Sequence, residues 1–169
     1  MRLVIDDKKR VGDWVGEKAN SPGGYSGDYQ AVGVQDKDNN LVGGMVYTQY
    51  TGYSVEIHLR VDSPRHIPIN FYRYVCEYGY IWMGVERGWC EVATSNKRCH
   101  KLLEGMYFKR EGVARKSLLL PTGELVDSII FSCLRQECKL IPEEYRYAGP
   151  IDRNGSWLDK PTSALNSGI

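Results

Sequence analysis

The sequence predicts a mixed α/β fold: a mostly antiparallel central sheet with helices on both faces, followed by an extended C-terminal tail. Three observations lead there. The run SVEIHLRVD alternates without a break, with Val55, Ile57, Leu59 and Val61 on one side and Glu56, His58 and Arg60 on the other. That is the two-residue period of a strand. Directly after RHIPIN (65–70) the period turns helical, with Phe71, Tyr74, Val75, Tyr78, Ile81, Trp82 and Val85 at i, i+3, i+4 and i+7 spacing. Hairpin-like pairs of apolar runs flank this strand–helix–strand unit, so parallel and antiparallel pairing must coexist in one sheet.

The elements follow in order. Residues 6–18 read as a short polar helix whose apolar contacts are Trp14 and Val15. The Pro, Gly and Ser of ANSPGGYSGDY mark a loop. YQAVGVQ and LVGGMVYTQY are strand-like and are joined by the turn-rich DKDNN, which makes a hairpin. The helix after RHIPIN is expected to end at Arg87 and Gly88, a basic last turn and a terminating glycine. WCEVATSN is a short strand, and NKRCHKLLEGM a short helix with Asn96 at its start. YFKREGVARKSLLL and ELVDSIIFSCLRQEC are a closing pair of strands around the turn at 121–123. These elements make one domain over residues 1–141. From Pro142 onward prolines and glycines displace aliphatic residues, so 142–169 is expected to extend and to become ordered only against a partner or another copy.

The totals exclude several classes. The 169 residues are 42% apolar and 25% charged with a net charge of +1, and their Lys and Arg are interspersed with acids. Neither nucleic acid nor a membrane surface is an expected partner. No apolar run is long enough to span a bilayer. Two aspartates in MRLVIDDKKR stand where a signal peptide needs its apolar stretch, so a cytoplasmic location is expected. The five cysteines (Cys76, Cys90, Cys99, Cys133, Cys138) are odd in number and form no CxxC pair. That speaks against a zinc site or a disulfide framework and for reduced thiols, most of them small buried apolar residues.

Two stretches resemble a known family. NKRCHKLLEGMYFKREGVAR is similar to the asparagine-led helix and Gly-Phe-x-x-Glu-Gly segment that closes the fold of the GCN5-related N-acetyltransferases (GNAT). ELVDSIIFSCLRQECKL is similar to the last strand of that fold. The order of elements matches from about residue 3 to residue 141, and FKREGVAR is most like members that acetylate protein N-termini or aminoglycoside-like amines. Small proteins of tailed phages, some of them virion components, resemble the same fold.

The resemblance implies transfer of acetyl from acetyl-coenzyme A to a primary amine of a protein or small molecule. It lays the pyrophosphate-binding turn of the family, Arg/Gln-x-x-Gly-x-Gly/Ala, on Arg65, His66, Ile67, Pro68, Ile69 and Asn70. There the backbone N–H groups of a helix start hold the phosphates. Arg65 fits, whereas Pro68 and Asn70 stand where the family has glycines. Proline removes one donor, a loss of about 1–3 kcal/mol of binding, yet it suits a helix start. Arg65 and His66 would offset part of that loss by charge. The resemblance also puts an oxyanion donor on backbone N–H near Leu59 and Val61, in a strand commonly bulged so that pantetheine pairs along it.

For the base, Glu56 is the candidate, with His58 beside it to tune it or to act through a water. The plainer alternative leaves both on a solvated strand face. Asn96 would hold the pantetheine arm, or serve simply as an N-cap. The tyrosine acid of the family falls on Leu103, which has no proton to give, and Tyr107 stands at the family's glycine. Cys99 and His100 are helix neighbours about 100° apart and do not face each other as a nucleophile–base pair. Tyr47, Tyr50 and Tyr53 are candidates for an amine pocket, although half-buried sheet contacts are the commoner use of such residues. Pro68, Asn70, Leu103 and the tail together motivate the rival reading: a binding or structural protein, such as a virion component, that kept the fold without the chemistry.

Overall fold

A computed structural model describes residues 1–17, 25 and 27–147. Among these residues seven strands form one sheet: β1 (Arg2–Val4), β2 (Gln30–Gln35), β3 (Leu41–Thr48), β4 (Ser54–Val61), β5 (Arg87–Ala93), β6 (Lys109–Leu119) and β7 (Leu125–Leu134). Their spatial order is β1-β2-β3-β4-β5-β7-β6. Among the described residues only the β4–β5 pair is parallel, and a helix carries the chain back over the sheet between those two strands. That helix is α2 (Ile69–Glu77). The other helices are α1 (Lys8–Gly16), α3 (Lys97–Gly105) and the single turn α4 (Glu143–Arg146).

Helices cover both faces. Alternation in β2 to β5 and β7 directs Val34, Tyr47, Val55, Cys90 and Phe131 to one side, where they meet Phe71, Val75 and Leu103 of α2 and α3. On the other side Ala31 and Val46 meet Val11 and Val15 of α1. Gly44 allows that approach, since a Cβ there would lie 2.9 Å from Val15 Cγ2. Arg60 fixes α1 to β4: its guanidinium lies 3.8 Å from the Trp14 ring centroid, bonds the Trp14 carbonyl, and pairs with Glu17 at 3.0 Å.

The β2–β3 hairpin closes as its sequence suggests. Asp36 Oδ1 accepts from the amides of Asp38 and Asn40, both at 2.9 Å, and Asn39 takes a left-handed φ of +64°. Asn96 caps α3, its side chain accepting from the Cys99 amide.

Several expectations change. The helix after RHIPIN does not run to Arg87 and Gly88, which begin β5; it widens into a π turn at Tyr78–Trp82, and Gly84 at φ +68° redirects the chain. The long helical period persists through that π turn, which is why the sequence conceals the break. The first helix starts at Lys8 with Asp7 as its N-cap, and a short strand, β1, precedes it. Residue 18 and most of the ANSPGGYSGDY loop lie outside the described residues. So does the tail beyond residue 147; its first residues form α4 instead of an extended segment.

Candidate active site

The gap between β4 and β5 creates the site. Their parallel pairing runs only through Ser54↔Arg87, Val55↔Gly88 and Glu56↔Trp89, after which the strands diverge. The β3–β4 ladder meanwhile continues to Gly43↔Val61 without a shift of register. The expected bulge near Leu59 and Val61 is therefore absent. In a regular antiparallel strand successive backbone groups alternate between the two edges. The Asp62 amide bonds to Val42 of β3, while the Tyr53 carbonyl accepts from Glu86 and Arg87 on the β5 side. By that alternation the N–H and C=O of Leu59 and Val61 point into the gap. An unpaired β-edge is what an extended chain such as pantetheine can join.

A cleft of about 450 Å³ opens along this gap. Glu56, His58, Leu59 and Asn96 all line it, so the structure brings together four sequence-selected residues from two elements. Glu56 Oε2 accepts from Gln49 Nε2 at 2.8 Å and Thr48 Oγ1 at 3.1 Å, and lies 3.5 Å from His58 Nε2. Burial pushes the Glu56 carboxyl up, but His58, Thr48 and Gln49 together outweigh it and hold the group below the ordinary value. Glu56 is therefore a well-held carboxylate. His58 also lies against Tyr25, ring centroids 4.9 Å apart and planes tilted by 49°.

Val61, Arg65, His66, Ile67, Ile69 and Asn70 do not line that cleft. They lie farther along, where β4 runs into α2. Pro68 is the N-cap of α2 at φ −65° and ψ 145°, with no side-chain cap bond. The His66 amide is spent on Ser63 O and the Phe71 amide on Pro68 O. No described residue accepts from the amides of Ile67, Ile69 and Asn70, which leaves three donors at the helix start. Arg65 and His66 are exposed, and the Ile67 side chain turns inward to the core.

At the other wall, Asn96 Oδ1 is committed to its cap at 3.1 Å from the Cys99 amide, leaving its NH₂ for a ligand. Leu103 is buried and takes no part in proton transfer. Tyr107 is displaced from the site by its backbone: at φ +69° it turns outward, with Lys139 Nζ 5.8 Å from its ring centroid. His100 is buried and bonds Ala93 O through Nε2 at 3.0 Å, while burial pushes the Cys99 thiol up to about 11. The two form no nucleophile–base pair. Of the three tyrosines, Tyr47 is buried with its hydroxyl on Val75 O at 2.7 Å, and Tyr50 and Tyr53 are exposed. Four of the five cysteines are buried.

One group escaped sequence reasoning. Glu91 on β5 and Ser117 on β6 both line the cleft. Between them lies Ser128 of β7, whose hydroxyl donates to Glu91 Oε2 and sits 2.7 Å from Ser117 Oγ. Only the alternation of WCEVA, which puts Glu91 on the same face as Trp89, hinted at Glu91. Nothing local signalled the serines, which meet across β6 and β7.

No protein-family model matches this chain, and no curated protein sequence does. Solved structures do. A spermidine N-acetyltransferase chimera of Vibrio cholerae and human sequence aligns at a TM-score of 0.61 with 15% identity, over 79% of this chain and 96% of that one. A dodecameric spermidine N-acetyltransferase from Vibrio cholerae gives 0.53 and 20% over 63% and 64%. A ribosomal-protein alanine acetyltransferase from Vibrio fischeri gives 0.53 and 21% over 63% and 61%. The chain spans less than two thirds of the latter two. Its fold is that of the GNAT acetyltransferases, a mixed, mostly antiparallel sheet with helices on both faces.

Proposed function

We propose that this protein transfers an acetyl group from acetyl-coenzyme A to a primary amine of a protein or small molecule. The single observation that carries the reading is the unpaired edge of β4 beyond Glu56, which at Leu59 opens onto a cleft that also holds Glu56 and Asn96. Pantetheine would extend along that edge, and the Leu59 or Val61 amide would receive the oxyanion of the tetrahedral intermediate. The Asn96 NH₂ would steady the arm. Arg65, His66 and the free amides of Ile67, Ile69 and Asn70 would hold the pyrophosphate at the α2 N-terminus. Glu56 and His58 would receive the cationic amine, and they are the pair from which the sequence leads one to expect the base. When bound, acetyl-coenzyme A supplies the activated thioester.

Calorimetric titration with acetyl-coenzyme A tests this reading. Saturable binding is expected, and no heat at millimolar ligand would overturn it. A second reading, a binding or structural protein that retains only the fold, draws support from buried Leu103 in place of an acid. It predicts no thiol release with amines and a stable assembly by light scattering. Loss of a measured transfer activity in Glu56→Gln would exclude it.

A further inference from the structure

Glu56 is poorly suited to take a proton. Three side chains contact its Oε2, and together they favour the ionised form. The cleft holds another carboxylate with a different surrounding, Glu91. Its Oε2 accepts from Ser128 at 2.7 Å. Since the one hydroxyl proton of Ser128 is committed there, its oxygen is the acceptor in the 2.7 Å contact with Ser117. The chain thus runs from Ser117 to Ser128 to Glu91, with the Ala114 carbonyl, 3.3 Å from Ser117 Oγ, as the weaker second acceptor for the Ser117 proton. Ser128 is fully buried, whereas Ser117 stands at the exposed rim of the cleft.

The backbone of β6 is distorted where it delivers Ser117. Between the pairs Ala114↔Ser128 and Leu118↔Val126 the chain advances four residues on β6 against two on β7, a wide bulge. Lys116 within it sits at a left-handed φ of +50°, an unfavourable conformation for lysine, held by its amide on Asp127 Oδ1 at 2.9 Å. Bulges recur beside active sites because they re-aim a side chain. This one turns Ser117 toward Ser128 and the cleft.

We propose that Ser117, Ser128 and Glu91 form a proton wire that deprotonates the acceptor amine, with Ser117 as the group that touches it. The inference rests on the transferase reading above. The ammonium first gives up one proton to solvent; as the neutral amine nitrogen then bonds to the thioester carbon, a second proton passes to Ser117 Oγ. The Ser117 proton moves to Ser128 Oγ, and the Ser128 proton moves to Glu91 Oε2. Both serines end neutral, Glu91 ends protonated, and the thiolate departs to take a proton from solvent. Glu91 then releases its proton to solvent from the cleft.

The experiment compares Ser117→Ala, Ser128→Ala, Glu91→Gln and Ser117→Thr with the intact chain. Binding is read by calorimetry with acetyl-coenzyme A. Turnover is read as thiol release with spermidine and with an alanine-terminated peptide. The wire predicts unchanged acetyl-coenzyme A affinity in all four variants. It also predicts a loss of about 100-fold in kcat for the first three, the scale of general base catalysis, and recovery to within about threefold in Ser117→Thr, which keeps the hydroxyl. If Ser117→Ala and Ser128→Ala retain kcat while Glu91→Gln loses it, Glu91 acts directly and the wire is refuted. If all variants retain kcat, neither Glu91 nor the serines carry the proton. A wild type that binds acetyl-coenzyme A but acetylates neither acceptor overturns the wire. Absence of binding overturns the transferase reading itself.

Discussion

Glu56 Oε2 and His58 Nε2 lie 3.5 Å apart on one face of β4, and Thr48 Oγ1 from β3 reaches both, at 3.1 and 2.9 Å. The cluster gathers a carboxylate, an imidazole and a hydroxyl at the point where β4 and β5 part. A group whose folded pKa is depressed adds stability above its ordinary pKa and loses it as pH falls through the depressed value. Glu56 is of this kind, with an ordinary value of 4.5. Glu56→Gln should therefore be less stable than wild type at pH 7, by about 1 kcal/mol, the scale of a hydrogen bond to a charged group discounted for partial exposure. The gap should close as pH drops below 4.5. Urea unfolding at both pH values measures it, and a gap that persists in acid would mean that Glu56 acts by packing alone.

The end of α3 gives a stability prediction with no ligand. The Phe108 amide reaches back to Leu103 O at 3.0 Å and the Tyr107 amide to Glu104 O at 3.1 Å, a Schellman closure with Tyr107 at its left-handed position. Glycine adopts that conformation without penalty, while tyrosine incurs about 1 kcal/mol. Tyr107→Gly should raise Tm by about 2–4 °C. A lower Tm would show that the exposed ring contributes more than its backbone strain removes.

Much of this was written in local sequence. The alternation of SVEIHLRVD gave β4 and its two faces, Asn96 announced the start of α3, and DKDNN the hairpin turn, because each depends on residues a few positions apart. Glu56, His58, Leu59 and Asn96, each singled out in the sequence, line one cleft. What local pattern could not show was the π turn at Tyr78–Trp82, whose period imitates a helix, or the bulge of β6. The Ser117–Ser128–Glu91 chain was equally hidden, since its members come from three strands whose adjacency is a property of the whole sheet. The bulge expected in β4 is absent, and the free edge there arises from strand divergence instead.

Asn96 has two roles that substitutions can separate. Its Oδ1 caps α3 through the Cys99 amide, and the residue lines the cleft. Asn96→Asp keeps the cap oxygen and removes the NH₂ donors, so stability should hold within about 0.5 kcal/mol. Affinity for acetyl-coenzyme A should fall roughly five- to tenfold, the value of one lost hydrogen bond. Asn96→Ala should lose affinity and about 1 kcal/mol of stability together. Thermal melts beside calorimetry distinguish the cases; unchanged affinity in Asn96→Asp would reduce the residue to a cap.

The turn RHIPIN decides how tightly a pyrophosphate can be held. Pro68 contributes a preset φ of −65° at the start of α2 but no N–H, while the amides of Ile67, Ile69 and Asn70 stand ready on either side. Alanine tolerates the same φ and ψ and supplies the missing donor. Pro68→Ala should therefore tighten acetyl-coenzyme A binding by about 0.5–1.5 kcal/mol, roughly two- to thirteenfold in Kd. It should also lose about 0.4–1 kcal/mol of stability through greater freedom in the unfolded chain. Arg65→Ala should act oppositely on binding, weakening it and flattening its dependence on salt, because a screened charge is removed. An unchanged Kd in Pro68→Ala, beside the expected loss of stability, would mean that the amide at position 68 does not face the phosphates.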